Sequence, residues 1–136
     1  MGSRRKSRIL AVQALYSWEM TSCDPGTLYD FSWRSPSIEE DTLTFARLLV
    51  AGTLENIDQV DEQIKAQLEH WDFSRLARVD LAILRVSAYQ LLYQPDIPDS
   101  VAIDEAIGIA KEFAANESYR FINGVLDGIR KRSAAS

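Results

Sequence analysis

The sequence has one cysteine, one histidine and no apolar run approaching the ~18–20 residues that span a bilayer. Each shortage excludes something. A single thiol, Cys23, excludes an intrachain disulfide and fits a reducing compartment. The lone imidazole, His70, stands beside Trp71 near an expected helix end, where it suits the dipole better than a metal. No G-x-S-x-G, Walker A or G-x-G-x-x-G occurs. The acid clusters Glu39-Glu40-Asp41 and Asp104-Glu105 fall at expected helix starts, where the dipole accounts for them without acid–base chemistry. We therefore expect no catalytic residue, no metal ligand, no cofactor and no enzymatic activity. The N-terminal cations are not followed by an apolar stretch, because Gln13, Ser17 and Glu19 interrupt it, so a secretory signal is not expected. No strand candidate of weight, repeat or low-complexity tract is visible.

What is there is a helical, amphipathic chain. At 136 residues, 46% hydrophobic and 26% charged, it is long enough for one soluble domain with a real core. Its net charge of −5 hides an asymmetry. Residues 1–8 carry Arg4, Arg5, Lys6 and Arg8, and residues 130–136 carry Arg130, Lys131 and Arg132, both without an acid. The stretch between them holds the other 8 of the 15 Lys and Arg against all 20 acids. Local potential, not net charge, decides whether phosphate can approach, and here both ends are basic.

Apolar spacing places the elements. Ser3 to about Thr21 reads as a first helix with Ile9, Ala11, Val12, Leu15 and Trp18 on its apolar face. Arg5 and Tyr16, eleven residues apart, share a face of it. Cys23-Asp24-Pro25-Gly26 breaks the chain, and the aromatic segment to Ser37 is expected to pack as a short helix or ordered loop. Ser37-Ile38-Glu39-Glu40 has the form of a capping box and opens a long helical stretch, expected to break around Glu55 to Asp58. After the corner at Trp71–Ser74, the helix from Leu76 to about Tyr93 is apolar nearly all round, the mark of a central element. Pro95 and Pro98 end it. Two more helices follow, with apolar stripes from Ile103 to Ala114 and from Phe121 to Ile129, joined by the corner Asn116-Glu117-Ser118. The fold is expected to be all-α, a compact domain of six to seven helices spanning 1–136.

Two stretches exceed what packing requires. The first is the basic start of helix one. It reads either as a solvated first turn or as a phosphate contact, and cations there oppose the helix dipole, a local cost that favours function. Tyr16 adds a ring that can stack on an unpaired base. The second is Glu117-Ser118-Tyr119-Arg120-Phe121-Ile122-Asn123-Gly124. Ile122, Val125 and Leu126 read as core, while Tyr119, Arg120 and Asn123 are open to either reading. Gly124, unfavourable inside a helix, suggests a neighbour that requires its absent side chain.

Four ordered stretches carry a resemblance over essentially the whole chain: Ala11-Val12-Gln13-Ala14-Leu15-Tyr16-Ser17-Trp18; Ile83-Leu84-Arg85; Val101 to Ala106 with Ala110-Lys111; and Phe121 to Asp127. Together they resemble the NusB family of bacterial transcription antitermination factors. Asp104 stands where the family often has Asn, and Ala115-Asn116 replace a more typical glycine-containing corner. The resemblance implies two packed three-helix bundles. It also implies a cytoplasmic, non-enzymatic role: binding single-stranded boxA RNA of nascent ribosomal-RNA transcripts with the ribosomal protein NusE, within an RNA polymerase antitermination complex. By position, the RNA surface would comprise Arg4, Arg5, Lys6, Arg8 and Tyr16 from helix one and Glu117, Tyr119, Arg120 and Phe121 from the corner. Asp80 matches a position near the meeting of RNA and NusE. Trp18, Leu15, Ile83 and Asn123 read as architectural.

Two other readings compete. One is a structural homodimer that hides the RNA face. The other is the RNA-binding part of a ribosomal-RNA cytosine methyltransferase, which would need a long cofactor-binding region with a reactive Cys beyond Ser136 and is not expected.

Overall fold

The computed structural model describes residues 3–22, 38–70 and 72–135. Cys23, the aromatic segment up to Ser37, and Trp71 lie outside them. Six α-helices and one 3-10 turn occur among the described residues: α1 (Ser3–Thr21), α2 (Glu40–Glu55), α3 (Ile57–Lys65), the turn Phe73–Arg75, α4 (Arg78–Tyr93), α5 (Asp99–Phe113) and α6 (Ser118–Ala135). No strand is present among those residues.

The helix expected to be central is α4, and every residue from Asp80 to Gln90 is buried. The other five helices all pack on it, α1 pairs closely with α2, and α5 with α6. The helices thus group as two sets of three, α1–α2–α4 and α4–α5–α6, with α4 shared and α3 alongside. Leu15, Leu49, Ile83, Leu84, Ile122 and Leu126 are among the fully buried side chains of the continuous core. Burying each contributes on the order of 1.5–3 kcal/mol. At Gly52 a β-carbon would collide with the Tyr89 ring, so the missing side chain is what lets α2 approach α4.

The breaks have local causes. Asn56 separates α2 from α3, where a break was expected, and its amide donates to the Gly52 carbonyl at 2.8 Å. The helix α2 begins at Glu40 with Glu39 at its cap and no capping side-chain hydrogen bond, later than the expected capping box implied; Ser37 of that box is outside the described residues. Asp72 caps the 3-10 turn, its Oδ1 accepting from Ser74 N at 3.0 Å and Ser74 Oγ at 2.8 Å. At the α5–α6 corner, Glu117 takes a left-handed conformation (φ 74°) and its carbonyl accepts from Arg120 N at 3.0 Å. That conformation in a non-glycine residue costs about 1 kcal/mol or more.

Arg85 ties three helices together from inside. Its guanidinium forks onto both Asp61 oxygens at 2.9 Å and reaches Glu19 at 2.7 Å, joining α4, α3 and α1, with the Trp18 ring alongside. His70, expected to cap a helix, is exposed in the bend five residues past the end of α3, too far to act on its dipole.

Candidate nucleic-acid interface

The four cations at the start of α1 do not share one environment. Arg4 is exposed, its guanidinium 4.2 Å from the centre of the Phe45 ring on α2. Lys6 is exposed. Arg5 is half-buried and forks onto Glu105 of α5, Nε to Oε1 at 2.6 Å and Nη2 to Oε2 at 3.0 Å. Arg8 is buried at 5% exposure; its Nε donates to Gln90 Oε1 at 2.9 Å and its Nη1 lies 3.6 Å from Glu105. Arg8 therefore stands inside the fold, not on the accessible edge where a phosphate contact was expected. Hydrogen bonds from Arg5 hold the Glu105 carboxyl below its usual range. Glu105 sits in the second turn of a helix that starts at Asp99, so pairing with these arginines, not the dipole, accounts for it.

Tyr16 occupies the face it was expected to share with Arg5, and that face looks at α5. A groove of about 630 Å³ runs between the two helices, lined by Ile9, Val12, Gln13, Tyr16, Ile109 and Phe113. One turn earlier on each helix, Arg5 and Glu105 line a separate groove of about 540 Å³ together with Arg4, Arg8 and Phe45. Tyr16 lies about 16 Å along α1 from Arg5 by the helical rise of eleven residues. Both rings are partly open to solvent, Tyr16 at 38% and Phe113 at 46%. Phe113 falls within the apolar stripe expected from Ile103 to Ala114; it is the last residue of α5, where the helix runs out beside the corner, and remains exposed.

The corner carries the second group. Arg120 is exposed, pairs with Glu117 at 2.9 Å and donates from Nε to the Tyr119 hydroxyl at 3.1 Å. The Lys111 ammonium, from the last turn of α5, lies 4.8 Å from the centre of the Tyr119 ring. Phe121 is half-buried against the core. Lys111 enters the sequence reading only within the Ala110-Lys111 motif and not as a binding residue, since only the tertiary fold sets it over Tyr119.

Asp80 lies in the first turn of α4, 8% exposed. Its Oδ2 accepts from Ser118 Oγ at 3.3 Å, linking α4 to the start of α6, and its Oδ1 has no hydrogen-bond partner among the described residues. Burial raises its pKa, opposed by the Ser118 bond. Of the residues read as architectural, Leu15 and Ile83 are fully buried and Trp18 partly so, but Asn123 is exposed. Helical phase explains the difference: Asn123 points away from the stripe of Ile122, Val125, Leu126 and Ile129. No group of three or more His, Cys, Asp or Glu residues is placed to hold a metal ion among the described residues. No helix there is long and apolar enough to cross a membrane.

This arrangement has known relatives. A protein named transcription antitermination protein NusB from Treponema pallidum (strain Nichols) is 52% identical over 130 residues, covering 94% of this chain and 92% of its own. The protein of that name from Treponema denticola is 44% identical over 132 residues, covering 96% and 97%. Among solved structures, T. maritima NusB superposes with a TM-score of 0.87 at 36% identity, covering 96% of this chain and 92% of its own. A structure described as the antitermination factors NusB and NusE in complex with dsRNA has the same fold, with a TM-score of 0.84 at 24% identity over 97% and 98% of the two chains. The sequence profile of the NusB family matches residues 5–131, so this chain belongs to the NusB family.

Proposed function

We propose that this chain is a transcription antitermination factor that binds single-stranded boxA RNA of nascent ribosomal-RNA transcripts together with NusE, as part of an RNA polymerase antitermination complex. The observation that carries the reading is the seam between α1 and α5. At the start of α1 a groove is lined by Arg4, Arg5 and Arg8, and farther along lie the Tyr16 and Phe113 rings and a corner of Tyr119, Lys111 and Arg120. Single strands are held by cations on phosphates and by rings against bases. Arg4, Lys6 and Arg120 supply accessible charge, Tyr16, Tyr119 and Phe121 supply rings, and Arg5 is available at the cost of its bond to Glu105. Arg8 braces the seam from within, and Glu117 sets the position of Arg120. The acidic middle of the chain suits a basic second partner such as a ribosomal protein. Asp80, with one oxygen unpartnered among the described residues and the other bonded to Ser118 of the corner, is the residue we assign to the edge where RNA and that partner meet.

The test is a titration of labelled boxA RNA against a scrambled control, with and without NusE. Tighter binding to boxA, strengthened by NusE and weakened steeply by salt, is the expected result. Equal affinity for both RNAs overturns specific recognition. Light scattering over a range of concentrations, with and without RNA, separates this reading from a homodimer that masks the same face.

A further inference from the structure

Most glycines in a packed helix answer to the chain's own neighbours. At Gly108 a β-carbon would come within 2.6 Å of the Arg5 guanidinium, and at Gly52 it would strike the Tyr89 ring. Gly124 differs. It is exposed, lies in the middle of α6 without a left-handed backbone, and a β-carbon there would meet nothing within 4 Å. Nothing among the described residues therefore needs its side chain to be absent. Alanine would strengthen the helix, because glycine inside a helix loses more backbone freedom on folding than any other residue. Beside it Asn123 is exposed, and its amide makes no hydrogen bond within the described chain.

The surroundings say what approaches. Helical spacing sets Arg120, Asn123, Gly124, Asp127 and Lys131 along one stripe of α6, running on from the corner. The acids of α6 and its corner along this stripe are already met: Glu117 by Arg120 at 2.9 Å, and Asp127 by Arg130 at 2.6 Å and Lys131 at 3.1 Å. With Lys111 beside Tyr119, cations are in excess. Such a stripe attracts a polyanion and repels a basic protein.

We propose that the Asn123–Gly124 step is a base-reading point of the RNA interface, where one nucleobase of a bound single strand rests against the α6 backbone. The missing β-carbon lets the ring or its ribose come close to the helix. The Asn123 amide, two donors and one acceptor, reads the base edge beside it. Adenine is one base that an amide matches with two bonds, through its N6 donor and N7 acceptor, and it is the base tested below. The inference rests on the RNA-binding function proposed above and adds where, and by what group, sequence is read.

The experiment uses the full chain and its Gly124→Ala and Asn123→Ala variants. Thermal melting is measured first. Affinity follows for a labelled single-stranded boxA RNA and for versions in which each adenine in turn is replaced by 2-aminopurine, which moves the amine. Gly124→Ala is expected to melt higher than the wild type yet bind the RNA about tenfold more weakly. Asn123→Ala is expected to lose about tenfold in affinity and to become indifferent to 2-aminopurine at one position only. A Gly124→Ala protein that melts higher and binds RNA equally well overturns the inference, as does one that melts lower, which would mean an internal packing role. Unchanged RNA binding with weakened NusE binding also overturns it, assigning the step to a protein. A wild type that binds no single-stranded RNA defeats the broader function instead, which the wild-type titration alone reveals.

Discussion

Arg5 and Glu105, a hundred residues apart in sequence, meet in a two-bond fork that fastens the start of α1 to α5. Arg8 approaches the same carboxylate from the buried side. Glu105→Ala should therefore destabilise the fold by about 1–2 kcal/mol, a figure discounted for the solvent that reaches Arg5. Because the Glu105 pKa is lowered in the fold, its contribution is fully present above the unfolded carboxylate range and is lost as pH falls through the folded value. Denaturant unfolding of both proteins between pH 7 and pH 3 should show the two curves converging at the acid end.

The cations of α1 should separate by experiment. Lys6→Ala and Arg4→Ala should leave melting unchanged and each lower the slope of log affinity against log salt by roughly 0.7, the value for one phosphate contact on a single strand. Arg8→Ala should instead lower stability, because it strips the buried Gln90 Oε1 of its donor. Equal salt slopes for all three variants would remove Arg4 and Lys6 from the interface.

Arg85 should be the most sensitive charged residue. It is 5% exposed, and Arg85→Ala takes from Asp61 and Glu19 their shared cation, leaving Glu19 with Arg78 at 3.2 Å. A loss of about 2–3 kcal/mol is expected by chemical denaturation. A loss under about 1 kcal/mol would mean that the network does not hold the helices together.

Asp80 runs the opposite way with pH. Burial raises its folded pKa, so its contribution is fully present below the unfolded carboxylate pKa and falls away as pH rises through the folded value. The stability of Asp80→Asn relative to the wild type should therefore rise steadily from pH 4 to pH 7. A flat difference would show that the carboxyl keeps its ordinary pKa.

Gly52→Ala should destabilise by about 1–3 kcal/mol, since the added carbon meets the buried Tyr89 ring and either α2 or the ring must shift. Thermal melting checks it, and an unchanged transition would show that the α2–α4 contact has room to spare.

Much of the fold was legible because helical periodicity is a local signal. The α4 segment is apolar nearly all round and is the central helix; Asn56 stands where the α2–α3 break was expected. The interface was legible in its residue types and much less in their exposure. Arg8 and Lys6 look alike in sequence, yet one lies inside and the other outside, because a rotation of two residues about α1 carries a side chain from solvent to the α4 face. Asn123 and Phe113 were misjudged for the same reason, each by position on a helix that the apolar stripe alone located too coarsely.

By itself the sequence determined the helices, the central element, the basic ends and the family motifs, since each depends on neighbours within a few residues. Only the tertiary structure decided which charges are spent internally and which remain for a ligand. Arg5 is held by Glu105, Arg8 by Gln90 and Arg85 by Asp61, partners at separations that no local pattern encodes. The tertiary structure also decided that, among the described residues, nothing crowds the place a β-carbon of Gly124 would take, so an apparent packing glycine lies open on the surface.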